Sequence, residues 1–550
     1  MGMLRHPYLV LALLCLFVNA FFNVKAKPIV SFDALAVLLC AVIAGAMIYV
    51  MVLHPERHLG LRDAVGGAAV LALLVLLLLV PNTAVFVLAA GLSVTVGMGL
   101  YWGLLHRLTP QKIVLLLFAA GFVIRVAYIL YTPMYVRQHD VLNFGMGNGH
   151  AGYIEWFYDN MRIPNFDPRK VWQFYHPPLH HWTTAIWMRL NVAMGMTLER
   201  AYESTQILTL YYASACTLLC YRLMRELGVG RKAICLPMAL LCFHPTLVIL
   251  SGSVNNDILS ITLQLAAVLF AVRWYKKPTV LRILPIAAAL GCAMMAKTSG
   301  GLAAVAIALL FLFKLIEQRR RFLPMIGQYA AFGAVCVPLG LWWQVSNFIR
   351  FGMPINYVPR LSNGVNQYIG GYSVWERLFD PSLEQFKSVF VAWGRDSLST
   401  YHEHNVFIGL LKTSMFGEFT MFLDRPVINI PATILFYVNI AIVALAIFAM
   451  IRTLCVRSLL PGKLKAFLGV WYLTVMVSFV VFCFQFPHTC TQDFRYAVPT
   501  LFVGLVFLGV MLEDWSRQKR RCLKPVSVAL SVLTGMFCAG STAVFVILGL

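Results

Sequence analysis

The sequence predicts an all-α polytopic integral membrane protein with about 15 transmembrane helices and two long, ordered outer loops. The first reason is composition, because 60% of the 550 residues are hydrophobic and only 12% are charged. A soluble domain has close to a quarter of its residues charged. The second reason is that apolar runs of roughly 18 or more residues recur along the chain, as membrane-spanning helices require. A membrane β-barrel would show short alternating segments instead.

The length of each apolar run gives the position of each helix. The predicted spans are 7–23, 30–53, 64–80, 83–105, 112–131, 203–221, 233–251, 257–273, 283–297, 300–316, 323–346, 430–451, 466–486, 497–513 and 526–548. The first span follows Arg5 and also has the composition of a signal peptide. We expect it to be retained as the first helix, because the topology is consistent with it in place.

Basic residues are concentrated in short loops between these spans, as at Arg222, Arg225, 319–321 and 519–521. With the N-terminus inside, every strongly basic loop falls on the cytoplasmic side, as the positive-inside rule requires. The net charge of +22 therefore reflects the topology of a multi-pass protein of the plasma (inner) membrane. It does not indicate binding to nucleic acid.

The same topology places two long loops, 132–202 and 347–429, on the extracytoplasmic side. Both are too long for structureless connections in a compact protein, so we expect them to form an ordered outer cap. The stretch 176–196 within the first loop is partly apolar. We interpret it as a helix lying in the interface, with Trp182 and Trp187 at head-group depth.

Three regions follow from this organisation. Residues 1–109 form an extra N-terminal membrane module of four helices. Residues 110–515 form a membrane core that includes both outer loops. Residues 516–550 form a basic cytoplasmic loop and the last transmembrane helix.

Acids, imidazoles and aromatic rings are concentrated at 135–183, just after the fifth predicted span. The motifs there are YVRQHD at 135–140, GHAGYIE at 149–155 and YHPPLHHW at 175–182. Three more follow downstream: SVNND at 253–257, AKTSG at 296–300 and FRYAVP at 494–499. In this order they resemble the motifs of GT-C fold glycosyltransferases. They are most similar to the glycosyltransferase family 39/83 group of protein O-mannosyltransferases and aminoarabinose transferases, over roughly 110–515. The resemblance implies that this region is the catalytic core.

The resemblance implies inverting transfer of a sugar from a polyprenyl-phosphate donor, without a cofactor; a divalent metal is left open. Such a reaction needs a base for the acceptor hydroxyl and positive partners for the leaving phosphate. Asp140 matches the position of the base, and its alternative role is a helix cap or an ion pair with Arg137. Glu155 is the second catalytic candidate, and its alternative role is that of a solvated surface residue.

The residues expected to bind substrate surround these acids or lie at the outer ends of helices. They are Arg137, His139, His150, Tyr175, His176, His180, Lys297, Arg495 and Tyr496. His176 precedes the PPL element, where a protonated imidazole suits a phosphate. Lys297 and Arg495 also suit a phosphate, although snorkelling to the interface is an alternative. His139 stands where some family members carry a second acid, which argues against a metal held by two adjacent carboxylates.

Other polar residues receive weaker assignments. Asp257 is interpreted as a helix cap, and Lys412 and Glu418 are interpreted as lining the cavity. The His402 and His404 pair would need further metal ligands that the sequence does not identify, so no metal site is assigned.

The favoured function is a lipid-linked-sugar glycosyltransferase with its active site on the extracytoplasmic side. Its expected partners are a polyprenyl-phosphate sugar, membrane lipid and a glycolipid, wall-polymer or protein acceptor. The alternative is a transporter or flippase of a lipid-linked or anionic solute, which would carry inverted repeats and polar residues near the midplane. A non-catalytic protein of the same fold is a third hypothesis. Polar residues gathered at helix ends and in the outer loops favour the enzyme.

Overall fold

The computed structural model describes residues 6–24, 83–392, 402–418, 426–521 and 523–549. The regular structure in these ranges is helical, apart from an isolated β-bridge between Tyr368 and His488. Ten of the described helices are long and apolar enough to cross a membrane, or eleven if a bent pair forms one span. The predicted all-α polytopic class is confirmed, whereas the total of about 15 spans stays a prediction. The predicted helices 30–53 and 64–80 lie outside the described residues.

The α-helices are numbered in chain order over the described residues. They are α1 (Pro7–Val24), α2 (Thr83–Leu104), α3 (Pro110–Tyr131), α4 (Gly149–Asn160), α5 (Leu179–Ala193), α6 (Leu198–Ser204), α7 (Gln206–Glu226), α8 (Cys235–Cys242), α9 (Pro245–Gly252), α10 (Asp257–Lys276), α11 (Val280–Ala296), α12 (Leu302–Glu317), α13 (Phe322–Phe351), α14 (Val374–Phe379), α15 (Val406–Phe416), α16 (Asn429–Cys455), α17 (Gly462–Gln485), α18 (Pro499–Arg517) and α19 (Leu523–Gly549). Each predicted span in the described part of the chain coincides with one or two of these helices.

The predicted span 233–251 consists of two helices, α8 and α9, with a bend of 42° between them. Pro245 starts α9, and proline cannot continue a preceding helix because it lacks an N–H and its ring is bulky. Carbonyls near such a break lose their donors within the helix. The Cys242 carbonyl instead accepts a hydrogen bond of 3.1 Å from the buried Arg125 guanidinium of α3. A polar contact between helices thus stabilises the bend.

The long loops and the basic clusters lie at opposite ends of the helix bundle. At one end, Gln138 in the loop after α3 donates to the last carbonyl of α9 at 2.8 Å. At the other end, Lys276 pairs with Glu226 at 2.9 Å and Lys463 pairs with Glu317 at 2.7 Å. This arrangement agrees with the predicted alternation of helix directions from α3 onward.

Helix α5 lies within the predicted interfacial stretch 176–196. Its 15 residues reach only about 22 Å at 1.5 Å per residue, too short for a hydrocarbon core of about 30 Å. It packs against α4 and α6. Trp182 is 43% exposed, whereas the Trp187 indole donates to the Ser204 carbonyl at 2.9 Å. The stretch is therefore a short helix of the outer cap and not a span.

Two helices of the predicted N-terminal module contact the rest of the bundle. Helix α1 packs against α7, and α2 packs against α3. The Asn19 amide of α1 also donates to the Asn191 side chain of α5 at 2.7 Å, and both residues are buried. Helix α1 is thus joined to the core by a specific polar contact as well as by apolar packing.

Helices α11 and α13 approach closely at a glycine. A Cβ atom at Gly291 would lie 2.7 Å from the Leu339 Cβ and 3.1 Å from the Cys336 carbonyl oxygen. Small residues allow such close approach between helices in a membrane, where association depends on packing. This contact fixes α11, which ends directly before Lys297.

Candidate active site

The loop after α3 has an uncommon backbone conformation at three residues other than glycine. The φ angles are +58° at Arg137, +59° at Asp140 and +57° at Leu142. Side chains disfavour this left-handed region, so the surrounding structure must hold it in place. The Gln138 side chain does so, because it donates to the end of α9 and accepts from the Val254 N–H at 2.9 Å. Asp140 is therefore presented on a fixed backbone.

Arg495 lies at the centre of a charged cluster. Its Nη2 donates to Asp140 Oδ2 at 3.2 Å and to the Tyr496 hydroxyl at 2.8 Å. Asp257 and Glu418 carboxylate oxygens lie 3.8 and 3.9 Å from the guanidinium. Burial disfavours its charge, but the surrounding phenol and carboxylates outweigh burial and raise the pKa of Arg495. The Arg495 side chain is 5% exposed and that of Asp140 is 37% exposed, so Asp140 is the member accessible from solvent.

Lys297 supplies a second positive charge beside Arg495. It follows α11, pairs with Asp257 and lies 4.8 Å from the centre of the Tyr496 ring. Asp257 is the first residue inside α10 and Asn256 is its cap, so the predicted capping role of Asp257 was wrong. A small cavity lies between these groups, and Ser299 also lines it. The lining holds two cations and three hydroxyl groups beside the Asp257 carboxylate. Cations and hydroxyl donors suit an anionic phosphate.

His139, Glu418 and Asp493 form a second group beside Arg495. His139 Nδ1 lies 2.9 Å from Glu418 Oε1 and 4.0 Å from Asp493 Oδ2. Burial raises the pKa of Asp493. Burial would also raise the pKa of Glu418, but the His139 hydrogen bond and the Arg495 charge outweigh it and lower that pKa. Three segments distant in sequence thus meet beside Asp140.

Four histidines of the first outer loop are gathered at α4 and α5. His150 Nδ1 lies 2.8 Å from His181 Nε2, and the His150 ring stacks on His176 with centroids 5.3 Å apart. Burial lowers the pKa of His180 to about 3. Burial also lowers the pKa values of His150, His176 and His181 below the usual value for histidine. Burial and the nearby positive charges therefore disfavour protonation of His176, whereas its predicted contact with a phosphate stays a prediction. Positive charge at the site comes from the lysine and arginine instead.

Glu155 has a different set of contacts from Asp140. Its two oxygens accept from the Gly145 N–H at 3.2 and 2.9 Å, and the Tyr202 hydroxyl donates to it at 3.4 Å. These contacts hold the loop ahead of α4. In the structure, Glu155 therefore positions a loop through its hydrogen bonds.

The structure also separates Arg137 from the charged cluster. Its Nη1 donates to the Thr132 hydroxyl at 3.1 Å, so the alternative ion pair between Arg137 and Asp140 is replaced by the pair with Arg495. Tyr175 lies at the site. Burial and the nearby Asp140 charge raise the pKa of its hydroxyl, which donates to the Gln173 side chain at 3.0 Å.

Asp493 was missed by sequence analysis, although it directly precedes the FRYAVP motif. Its Oδ1 accepts from the Arg495 N–H at 2.7 Å, and this contact shapes the turn that presents the guanidinium. Of the two residues interpreted as lining the cavity, Glu418 lies in the cluster. Lys412 instead forms a buried ion pair with Glu403 at 2.5 Å.

Residues 175–343 match the family model described as dolichyl-phosphate-mannose-protein mannosyltransferase. That match confirms the resemblance predicted from the motifs. No match was found among curated protein sequences.

Two solved structures are similar to this one. One is ArnT from Cupriavidus metallidurans bound to undecaprenyl phosphate, with 15% identity, a TM-score of 0.42 and coverage of 79% of this chain and 76% of that chain. The other is the oligosaccharyltransferase AglB from Archaeoglobus fulgidus with an inhibitory peptide and a dolichol-phosphate. It has 12% identity, a TM-score of 0.41 and coverage of 79% and 55%.

Proposed function

We propose that this protein is a membrane glycosyltransferase that moves a sugar from a polyprenyl-phosphate donor to an acceptor hydroxyl or phosphate on the extracytoplasmic face of the plasma membrane. The observation that carries the proposal is the pair formed by solvent-accessible Asp140 and buried Arg495, with Lys297 close by. The match to a family named for dolichyl-phosphate-mannose supports it, because the matched segment contains both the YHPPLHHW and AKTSG motifs.

The reaction is a direct displacement at the anomeric carbon. The acceptor oxygen forms the new bond to carbon while the bond to the donor phosphate oxygen breaks, with inversion. Asp140 takes the acceptor proton, since its Oδ1 accepts no hydrogen bond from any residue described in the structure. The electron pair leaves on the polyprenyl phosphate, where Arg495 and Lys297 stabilise the charge.

A polyprenyl donor also needs an apolar path beside its phosphate. Phe494, the neighbour of Arg495, lines a larger cavity that is mostly apolar, together with Phe407, Ile442 and Leu501. Arg495 of the charged cluster and Phe494 of this cavity are therefore neighbours in the chain. That arrangement fits a ligand with a charged head and a hydrocarbon tail.

The test uses full-length protein in lipid nanodiscs with a panel of radiolabelled polyprenyl-phosphate sugars. Release of polyprenyl phosphate is followed for wild type, Asp140→Asn and the control Asp167→Asn, an outer-loop acid that pairs with Arg169. Loss of a general base lowers rates by roughly 10²- to 10⁴-fold, so Asp140→Asn should show that loss while still binding the donor. The control should retain the wild-type rate.

Two outcomes would contradict the proposal. Equal rates for Asp140→Asn and wild type would remove Asp140 as the base. No release from any donor, with labelled donor moved across the bilayer in liposomes, would establish a transporter instead.

A further inference from the structure

His139, Glu418 and Asp493 come from three separate parts of the chain and converge on one buried point. One candidate ligand atom from each lies within 4.8 Å of the other two. His139 and Asp493 are each 2% exposed and Glu418 is 9% exposed. The residues belong to the first outer loop, the end of the second outer loop and the turn before α18.

Two oxygen atoms of this group are buried without hydrogen bonds. Glu418 Oε2 and Asp493 Oδ2 accept none from the residues that the structure describes. An unsatisfied buried polar atom costs about 1–3 kcal/mol, and more when it is charged. A cation bound to Asp493 Oδ2 and to the Glu418 carboxylate would supply a missing partner at this point.

We propose that His139, Glu418 and Asp493 bind one divalent transition-metal ion, with Zn²⁺ or Mn²⁺ as the fitting class. One imidazole nitrogen and two carboxylate oxygens suit these ions. Metal–ligand bonds of about 2.1 Å in a tetrahedral site place ligand atoms about 3.4 Å apart. The observed separations of 2.9 and 4.0 Å from His139 Nδ1 bracket that distance. The metal would replace the direct contact between His139 Nδ1 and Glu418 Oε1.

The metal would tie three loop segments together at the residue beside Asp140. Fixing His139 fixes the backbone that presents the carboxylate, so the ion would act by positioning. This role rests on the proposed function, whereas metal binding itself does not.

The test measures metal binding by the full-length protein after chelator treatment. Isothermal titration with ZnCl₂ or MnCl₂ and elemental analysis after gel filtration give affinity and stoichiometry, and thermal unfolding gives the stabilisation. The variants are His139→Ala and Asp493→Asn. The control is His404→Ala, because His404 makes a comparable contact of 3.1 Å with Asp380.

Wild type and His404→Ala should bind one equivalent of the same metal and unfold at a higher temperature with it. His139→Ala and Asp493→Asn should bind it at least about 100-fold more weakly, since even the loss of an outer-shell partner costs 10- to 100-fold. Asp493→Asn keeps a similar shape, so it serves if His139→Ala does not fold. Absence of binding by wild type, or equal binding by all variants, overturns the proposal.

Sugar transfer is not part of this readout. Protein that binds the metal but transfers no sugar contradicts the proposed function alone. Protein that transfers sugar without binding metal contradicts the metal site alone.

Discussion

Arg495 and Asp140 are 355 positions apart in the chain and share a hydrogen bond of 3.2 Å. The arginine is buried and also bonds to the Tyr496 hydroxyl, with Asp257 close to its other nitrogen. Its position is therefore set by several partners. The turn before α18 thus contributes a fixed contact to the acid that we propose as the base.

Replacing Arg495 by lysine should impair transfer although the charge is kept. A single ammonium group lacks the planar fork that contacts Asp140, Tyr496 and Asp257 together. Misplacing a catalytic group by about 1 Å can cost about 100-fold, so Arg495→Lys should lower kcat by about that factor. Release of polyprenyl phosphate at saturating donor measures it.

The matched control is Arg169→Lys. Arg169 also pairs with an outer-loop aspartate, Asp167 at 2.6 Å, but its side chain is 32% exposed. Solvent screens exposed ion pairs, so this variant should keep near wild-type activity. Equal activity of the two lysine variants would show that Arg495 acts only as a charge.

Glu155 should act through the loop that it holds and not through its charge. In Glu155→Gln the carboxamide oxygen can still accept from the Gly145 N–H, so transfer should stay close to wild type. Glu155→Ala removes that acceptor, and a typical intramolecular hydrogen bond contributes about 0.5–1.5 kcal/mol. Transfer should fall, and proteolysis of loop 141–149 should become faster. If Gln is as inactive as Ala, Glu155 has the catalytic role assigned from the sequence.

The buried pair of Lys412 and Glu403 should stabilise the second outer loop. Their side chains are 1% and 0% exposed, so Lys412→Met leaves a buried carboxylate without its cation. Breaking such a pair costs roughly 3–5 kcal/mol, and the double variant with Glu403→Gln should recover much of the loss. Thermal unfolding in detergent measures both variants.

An exposed pair provides the comparison. Lys387 and Glu384 are 2.5 Å apart with side chains 73% and 44% exposed. Lys387→Met should change stability by less than about 1 kcal/mol. If Lys412→Met also lowers the free energy of unfolding by less than about 1 kcal/mol, the buried Glu403 does not need Lys412 for stability.

The positions of the helices could be predicted from the sequence, whereas the position of a break within a helical run could not. Run length placed a span at 430–451, and α16 covers it. The run 233–251 contains Pro237 and Pro245, so the sequence marks an interruption without saying which proline makes it. The structure continues α8 through Pro237 and starts α9 at Pro245, where Arg125 caps a free carbonyl. That choice depends on a contact with another helix.

In the candidate site, too, the sequence predicts some residues but not the contacts between them. The motifs identified Asp140, Lys297 and Arg495, and the structure brings these three together. The contact of His139 with Glu418 joins residues 279 positions apart, so neither spacing nor periodicity reveals it. Burial, which sets the charge of the histidines, likewise depends on the packed outer loops.

Acid should destabilise the histidine-rich part of the outer cap. Burial lowers the pKa of His180 to about 3, partly offset by the Asp257 charge, and lowers those of His150 and His181. Each titrates near about 6.5 in the unfolded chain. Between the folded and unfolded pKa values of these histidines, the unfolded chain binds more protons than the folded protein. The free energy of unfolding is therefore largest above about pH 6.5 and decreases as the pH drops below it. The midpoint temperature of unfolding in nanodiscs should be lower at about pH 5 than at about pH 7. This decrease should be smaller for His180→Leu than for wild type. The exposed control His106→Leu should keep the wild-type slope, and an unchanged slope in His180→Leu would remove His180 as a cause.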